Sequence, residues 1–70
     1  MNDTFFEVLE VLRILYIEKI YTFSDGTSIG MNDDYSIGYI YKKTSGEKYI
    51  STIIKLSLKE IEDLIIKNRI

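Results

Sequence analysis

Cysteine, histidine, proline and tryptophan are all missing from these 70 residues, and so are alanine and glutamine. Without cysteine no disulfide can staple the chain. Without cysteine or histidine there is no ordinary zinc site, and a metal would have to be held by carboxylate or carbonyl oxygens. The same two absences remove the commonest general acid-base and the strongest nucleophile. A catalytic site would have to be assembled from Asp, Glu, Ser, Lys or Tyr in a domain too small for a sizeable pocket. The expectation is a non-enzymatic protein with no cofactor and no metal.

Strong charge of either sign is also lacking: eleven acids against nine bases leave a net charge of −2. With 46% apolar and 29% charged residues, the composition is that of a folded domain and not of a disordered tail. Residues 1–70 make a single domain, and a chain of this size buries only about 60% of the surface its unfolded form exposes. Oligomerisation is the natural remedy, so a homodimer is expected. The opening "MNDTFFEVLEVLRILYI" has acids where a signal peptide has bases, and Glu7, Glu10 and Arg13 interrupt its apolar run. This reads as a cytoplasmic protein without a membrane span. Ile, Lys, Tyr, Asn and Phe use A+T-rich codons, and alanine and proline use G+C-rich ones. The bias points to an A+T-rich genome, such as that of a phage, another virus or a mobile element.

Thr4 and Glu7 have the spacing of a capping box. At about 100° per residue, Phe5, Val8, Leu9, Leu12, Leu15 and Tyr16 share one helical face, and Asp3, Glu7, Glu10 and Glu18 share the other. The spacing predicts a helix over residues 4–16. Val11, Ile14 and Ile17 lie in or beside its polar face, so a helix this apolar around its girth is either buried on two sides or in contact with another subunit. Ser57 and Glu60 repeat the capping-box spacing, and Leu58, Ile61, Leu64 and Ile65 follow at helical intervals.

Between the helices lie two hairpins. Asp25-Gly26, read as a two-residue turn, sets Phe23 opposite Ser28, Thr22 opposite Ile29, Tyr21 opposite Gly30 and Ile20 opposite Met31. Ser45-Gly46, read the same way, sets Lys43 opposite Lys48, Tyr41 opposite Ile50, Tyr39 opposite Thr52 and Ile37 opposite Ile54. That register gathers Tyr35, Ile37, Tyr39 and Tyr41 with Ile50, Ile54 and Leu56 on a core face. The order is α-β-β-β-β-α, an α+β domain with an antiparallel sheet of two hairpins packed by N- and C-terminal helices.

No motif carries chemistry. Asp25, Asp33 and Asp34 match no calcium-loop pattern and suit turns, where Asp side chains bond nearby backbone. The four glycines form no phosphate-binding fingerprint. Two binding surfaces remain. In the predicted register Tyr21, Phe23, Ile40, Tyr49 and Ile53 lie on the outer sheet face. With both helices on the opposite side they form an exposed apolar patch; with the first helix crossing over they are covered in a three-layer fold. Charge supplies the second surface: residues 1–34 sum to −5 and residues 35–56 to +3. Lys42, Lys43, Lys48 and Lys55, beside tyrosines, suit a nucleic-acid-binding regulator. The leading expectation is a protein-protein interaction module that binds and inhibits or modulates a host protein.

Overall fold

Helix α1 (Asp3–Glu18) leads into strands β1 (Ile20–Thr22), β2 (Ser28–Met31), β3 (Ile37–Lys42) and β4 (Lys48–Ile50), and helix α2 (Leu58–Lys67) follows. The structure, a computed structural model, describes residues 3–69. The strands form one open antiparallel sheet in the order β1-β2-β3-β4, so each pairs with its neighbour in sequence. The α+β class and the order α-β-β-β-β-α are as expected.

α1 stops because Lys19 turns into the left-handed region at φ 69°. Its amide still donates to the Leu15 carbonyl at 3.0 Å, the bond of a left-handed helix cap. Its own carbonyl accepts from the Met31 amide at 3.0 Å. The helix therefore hands the chain to the sheet with no intervening loop. Thr4 is buried inside α1 instead of capping it, and the cap lies outside the described residues. α2 starts as its sequence predicts: Ser57 Oγ accepts from the Glu60 amide and Glu60 Oε1 accepts from the Ser57 amide, both at 3.3 Å.

All three hairpin loops are built alike, and this corrects the predicted registers. Phe23 and Thr27, Asn32 and Ser36, and Lys43 and Glu47 each close a loop through an amide-to-carbonyl bond of 2.7 to 2.8 Å. Inside each loop the third residue donates back across a tight turn: Gly26 to Phe23, Tyr35 to Asn32, Gly46 to Lys43. This is the three-residue hairpin loop, a turn followed by one left-handed residue. That residue has φ 92° at Gly26, 66° at Tyr35 and 87° at Gly46. The loops at Asp25-Gly26 and Ser45-Gly46 thus hold one residue more than a two-residue turn, and both registers slide by one. Tyr21 pairs with Ile29 and Ile20 with Gly30; Tyr41 pairs with Tyr49 and Ile40 with Ile50.

A slip of one residue sends each side chain of the slipped strand to the other face relative to its partner. Tyr21 and Phe23 therefore join Ile29, Met31, Ile37 and Tyr39 on the inner face. There Phe23, Ile29, Met31 and Ile37 meet Val8, Val11 and Leu15 of α1 and Ile61, Leu64 and Ile65 of α2, with Leu56 completing the core. Both helices lie on that side, so the domain has two layers. The buried seam of α1 is Thr4, Val8, Val11 and Leu15, displaced by about one residue from the predicted one. Phe5, Leu9 and Tyr16, expected inside, are exposed.

Beyond β4 the predicted pairing of Ile37 with Ile54 gives way to a loop. Ser51 donates its amide to the Tyr39 carbonyl at 2.8 Å and Leu56 donates to Ile37 at 2.7 Å, so residues 52–55 leave the ladder between them. This segment passes over Gly38, where a Cβ would strike the Ser51 carbonyl oxygen.

Candidate interaction surfaces

The five residues predicted to form one patch are divided by the corrected registers. Phe23 is buried in the core and Tyr21 packs at its edge, their rings edge to face at 4.9 Å. Tyr49 stands beside Tyr41, also on the inner side but exposed past the helices. Ile53 projects from the 52–55 loop at 93% exposure. Only Ile40 lies on the outer face of the sheet proper.

Other residues make that outer face. Gly30 pairs with Gly38 across β2 and β3; both are buried, and the trough their missing side chains leave is filled, over Gly38 by the backbone of Ser51 and Ile54. Ile40 and Ile50, themselves paired, lie over it: a Cβ at Gly30 would come within 2.8 Å of Ile50 Cδ1 and 3.1 Å of Ile40 Cδ1. Ile20, opposite Gly30, extends this apolar floor at the sheet edge. Lys42 and Lys48 are directly opposed at its end. Like charges placed opposite each other destabilise a sheet, and neither lysine has an acidic partner among the described residues. Lys19, Lys48 and Asn32 line a shallow cleft with the three isoleucines. The outer face thus has an isoleucine floor and a basic rim. Periodicity points to strands here, but Ile20 and Ile50 could be assigned to this face only with the loop type known.

The β3–β4 tip presents a second surface. Tyr39, Tyr41 and Tyr49 form a ladder with ring centroids 6.3 and 5.8 Å apart, and Lys43 Nζ sits 5.4 Å from the Tyr49 ring. The four predicted lysines do not converge on it. Lys42 and Lys48 point to the opposite face, and Lys55 is in the loop nearer Asp34.

A third surface lies on α1, where Phe5, Phe6, Leu9, Tyr16 and Ile17 are exposed. Tyr35 approaches this stripe from the β2–β3 loop, its ring 5.7 Å from that of Tyr16 and 6.0 Å from Lys19 Nζ. A tyrosine in the left-handed region costs about 1–2 kcal/mol relative to glycine, and the two sister loops hold glycine at that position.

Carboxylates near these surfaces are engaged locally. The Asp25 carboxyl is held below the usual aspartate range mainly by the Thr27 amide, which donates to Oδ1 at 2.9 Å. Asp34 is lowered chiefly by the Ser36 hydroxyl at 2.6 Å, then by the Ser36 amide at 3.0 Å. Glu10 is lowered by its bond from Arg13, whose guanidinium is correspondingly raised. At the other end of the core, Asn68 caps α2 and accepts from Ser24 Oγ and the Asp25 amide, tying the first hairpin loop to the helix. Arg69 pairs with Glu7 of α1 at 2.9 Å.

The class these features define is a small two-layer α+β domain whose sheet is open on one face and whose first helix keeps an apolar stripe. Among the described residues no helix is long and apolar enough to cross a membrane. No protein-family model, no curated protein and no solved structure matches the chain.

Proposed function

We propose that this protein is a small non-enzymatic interaction module, working as a homodimer, that docks onto another protein through the outer sheet face and inhibits or modulates it. The observation that carries the reading is the opposition of Lys42 and Lys48 beside the Ile20, Ile40 and Ile50 floor. Two facing lysines and an uncovered apolar surface each carry a free-energy cost in the isolated domain. A partner with an apolar side chain flanked by carboxylates removes both costs at once. The A+T-rich residue usage extends the proposal to a phage, viral or mobile-element protein acting on a host protein in the cytoplasm.

A nucleic-acid-binding regulator is the second reading, favoured by the Tyr39, Tyr41 and Tyr49 ladder with Lys43 over its end. Aromatic ladders of this kind stack single-stranded bases.

One capture experiment separates the two. The tagged protein is passed through host lysate with and without nuclease, beside a Lys42→Glu, Lys48→Glu double variant. A protein retained after nuclease by the parent and lost by the variant supports docking on the outer face. Equal retention by the variant removes that face. Loss of all partners on nuclease treatment, with recovered nucleic acid, moves the tyrosine ladder to first place.

A further inference from the structure

We propose that the exposed stripe of α1 is the self-association face, on which a second copy of the chain seats its own α1 antiparallel to the first. This gives the dimer proposed above its surface and is independent of the outer sheet face.

The stripe is Phe5, Leu9, Leu12 and Tyr16, spaced four, three and four residues apart. The buried seam of the same helix, Thr4, Val8, Val11 and Leu15, has the same spacing one residue earlier. α1 thus carries two adjoining seams of the kind that pack helix against helix. One is filled by this chain's own core. In the other, Phe5 is 59%, Leu9 48% and Tyr16 55% exposed, and Leu12 is half-buried against the edge of the core.

The occupant follows from the order of side chains. Aromatic, leucine, leucine, aromatic at intervals of four, three and four reads the same in both directions. A two-fold axis across the middle of the stripe therefore sets Phe5 against the second copy's Tyr16 and Leu9 against its Leu12. This self-complementarity is the condition for a closed isologous dimer. The flank agrees. Phe6 and Arg13 lie on one flank of the stripe, and an antiparallel two-fold keeps that flank on the same side in both copies. Each Arg13, paired with its own Glu10, then comes beside the ring of the other copy's Phe6, a cation–π contact.

Tyr35 is an independent observation. It holds φ 66° where Gly26 and Gly46 occupy the matching loop positions, yet its side chain is 63% exposed. Burial in the isolated domain does not account for a tyrosine there. Its ring packs beside Tyr16 and extends the stripe past it, so a strained residue adds exposed aromatic area to this same face, and strain of this kind clusters at sites that bind.

Sedimentation equilibrium on the full chain tests the proposal. The parent is expected at twice 8.2 kDa. Leu9→Asp is expected at one chain mass with its helical circular dichroism kept, and Lys42→Glu, Lys48→Glu is expected to stay dimeric. Since the chain has no cysteine, a second test reads geometry without relying on a disruptive variant. An equimolar mixture of Phe5→Cys and Tyr16→Cys chains should form the mixed disulfide on oxidation, and each alone should not. A Leu9→Asp dimer overturns the stripe and leaves a dimer made elsewhere, and cross-linking of Phe5→Cys with itself as fast as the mixture overturns the antiparallel order. A parent of single mass at all concentrations overturns both the stripe and the homodimer.

Discussion

The two faces of this sheet come from the same short strands and are put to opposite uses. The inner face carries Phe23, Ile29, Met31 and Ile37, all covered by helices. The outer face carries a glycine pair, three isoleucines and two opposed lysines, with no helix above them and only the chain after β4 crossing at Gly38. The inner face is richer in apolar side chains, and the helices that stand above it bury them. A covered side chain contributes to folding through the area removed from water. An uncovered one contributes little until a partner arrives.

The largest effect that would break this comparison is in paired truncations. Ile29→Ala removes a side chain with no exposed surface and should cost about 2–5 kcal/mol, because the surroundings close only partly over the cavity. Ile40→Ala on the adjacent strand, half-buried on the outer face, should cost about 1 kcal/mol, near the centre of the range for point substitutions. Urea denaturation reads both. Equal losses would mean that the outer face is covered in solution.

How much of this was legible in the sequence turns on one residue per loop. The order of elements followed from period and caps, and the Ser57–Glu60 box appears in the structure as its spacing predicts. The sheet faces did not follow. Asp25-Gly26 and Ser45-Gly46 suit a two-residue turn and the end of a three-residue loop equally, because both need glycine at positive φ. The shorter loop places Tyr21 and Phe23 on the outer side and hides Ile20 and Ile50 from it. The Asp33-Asp34-Tyr35 loop has the same form with no glycine, so composition could not announce it. The shorter loop also joins Tyr39 and Tyr41 to Ile50 and Ile54 on one apolar face, whereas Ile54 lies in the segment that leaves the ladder. The helix seam was misplaced for a related reason: with apolar residues around most of α1, periodicity alone cannot choose between two adjoining stripes.

A smaller effect sharpens the comparison within the outer face. Gly38→Ala sets a Cβ against the Ser51 backbone carbonyl, which cannot move without shifting the 52–55 loop. The expected cost is about 1–3 kcal/mol, the range for overpacking. Gly30→Ala meets Cδ1 and Cγ1 of Ile50 and Cδ1 of Ile40, side-chain atoms that shift more readily than backbone, and should cost less. A reversed order in thermal unfolding would show that the loop after β4 does not lie across Gly38.

The smallest effect is in acid, and it divides the three loops. The carboxylates of Asp25 and Asp34 are lowered in the folded protein by donors from Thr27 and Ser36. A lowered folded-state value means that the unfolded state binds the proton first. The stabilisation is therefore present above the ordinary aspartate value of about 3.9 and lost as pH falls through the lower folded values. The third loop has Ser45 at the matching position, with no carboxylate to titrate. Amide exchange below pH 4 should accelerate around the first two loops before the third. Asp25→Asn and Asp34→Asn, which keep an acceptor oxygen without the titration, should flatten that dependence. Acid sensitivity equal in all three loops would mean that these two carboxylates do not hold the three-residue form, and hence not the register that decides which face is which.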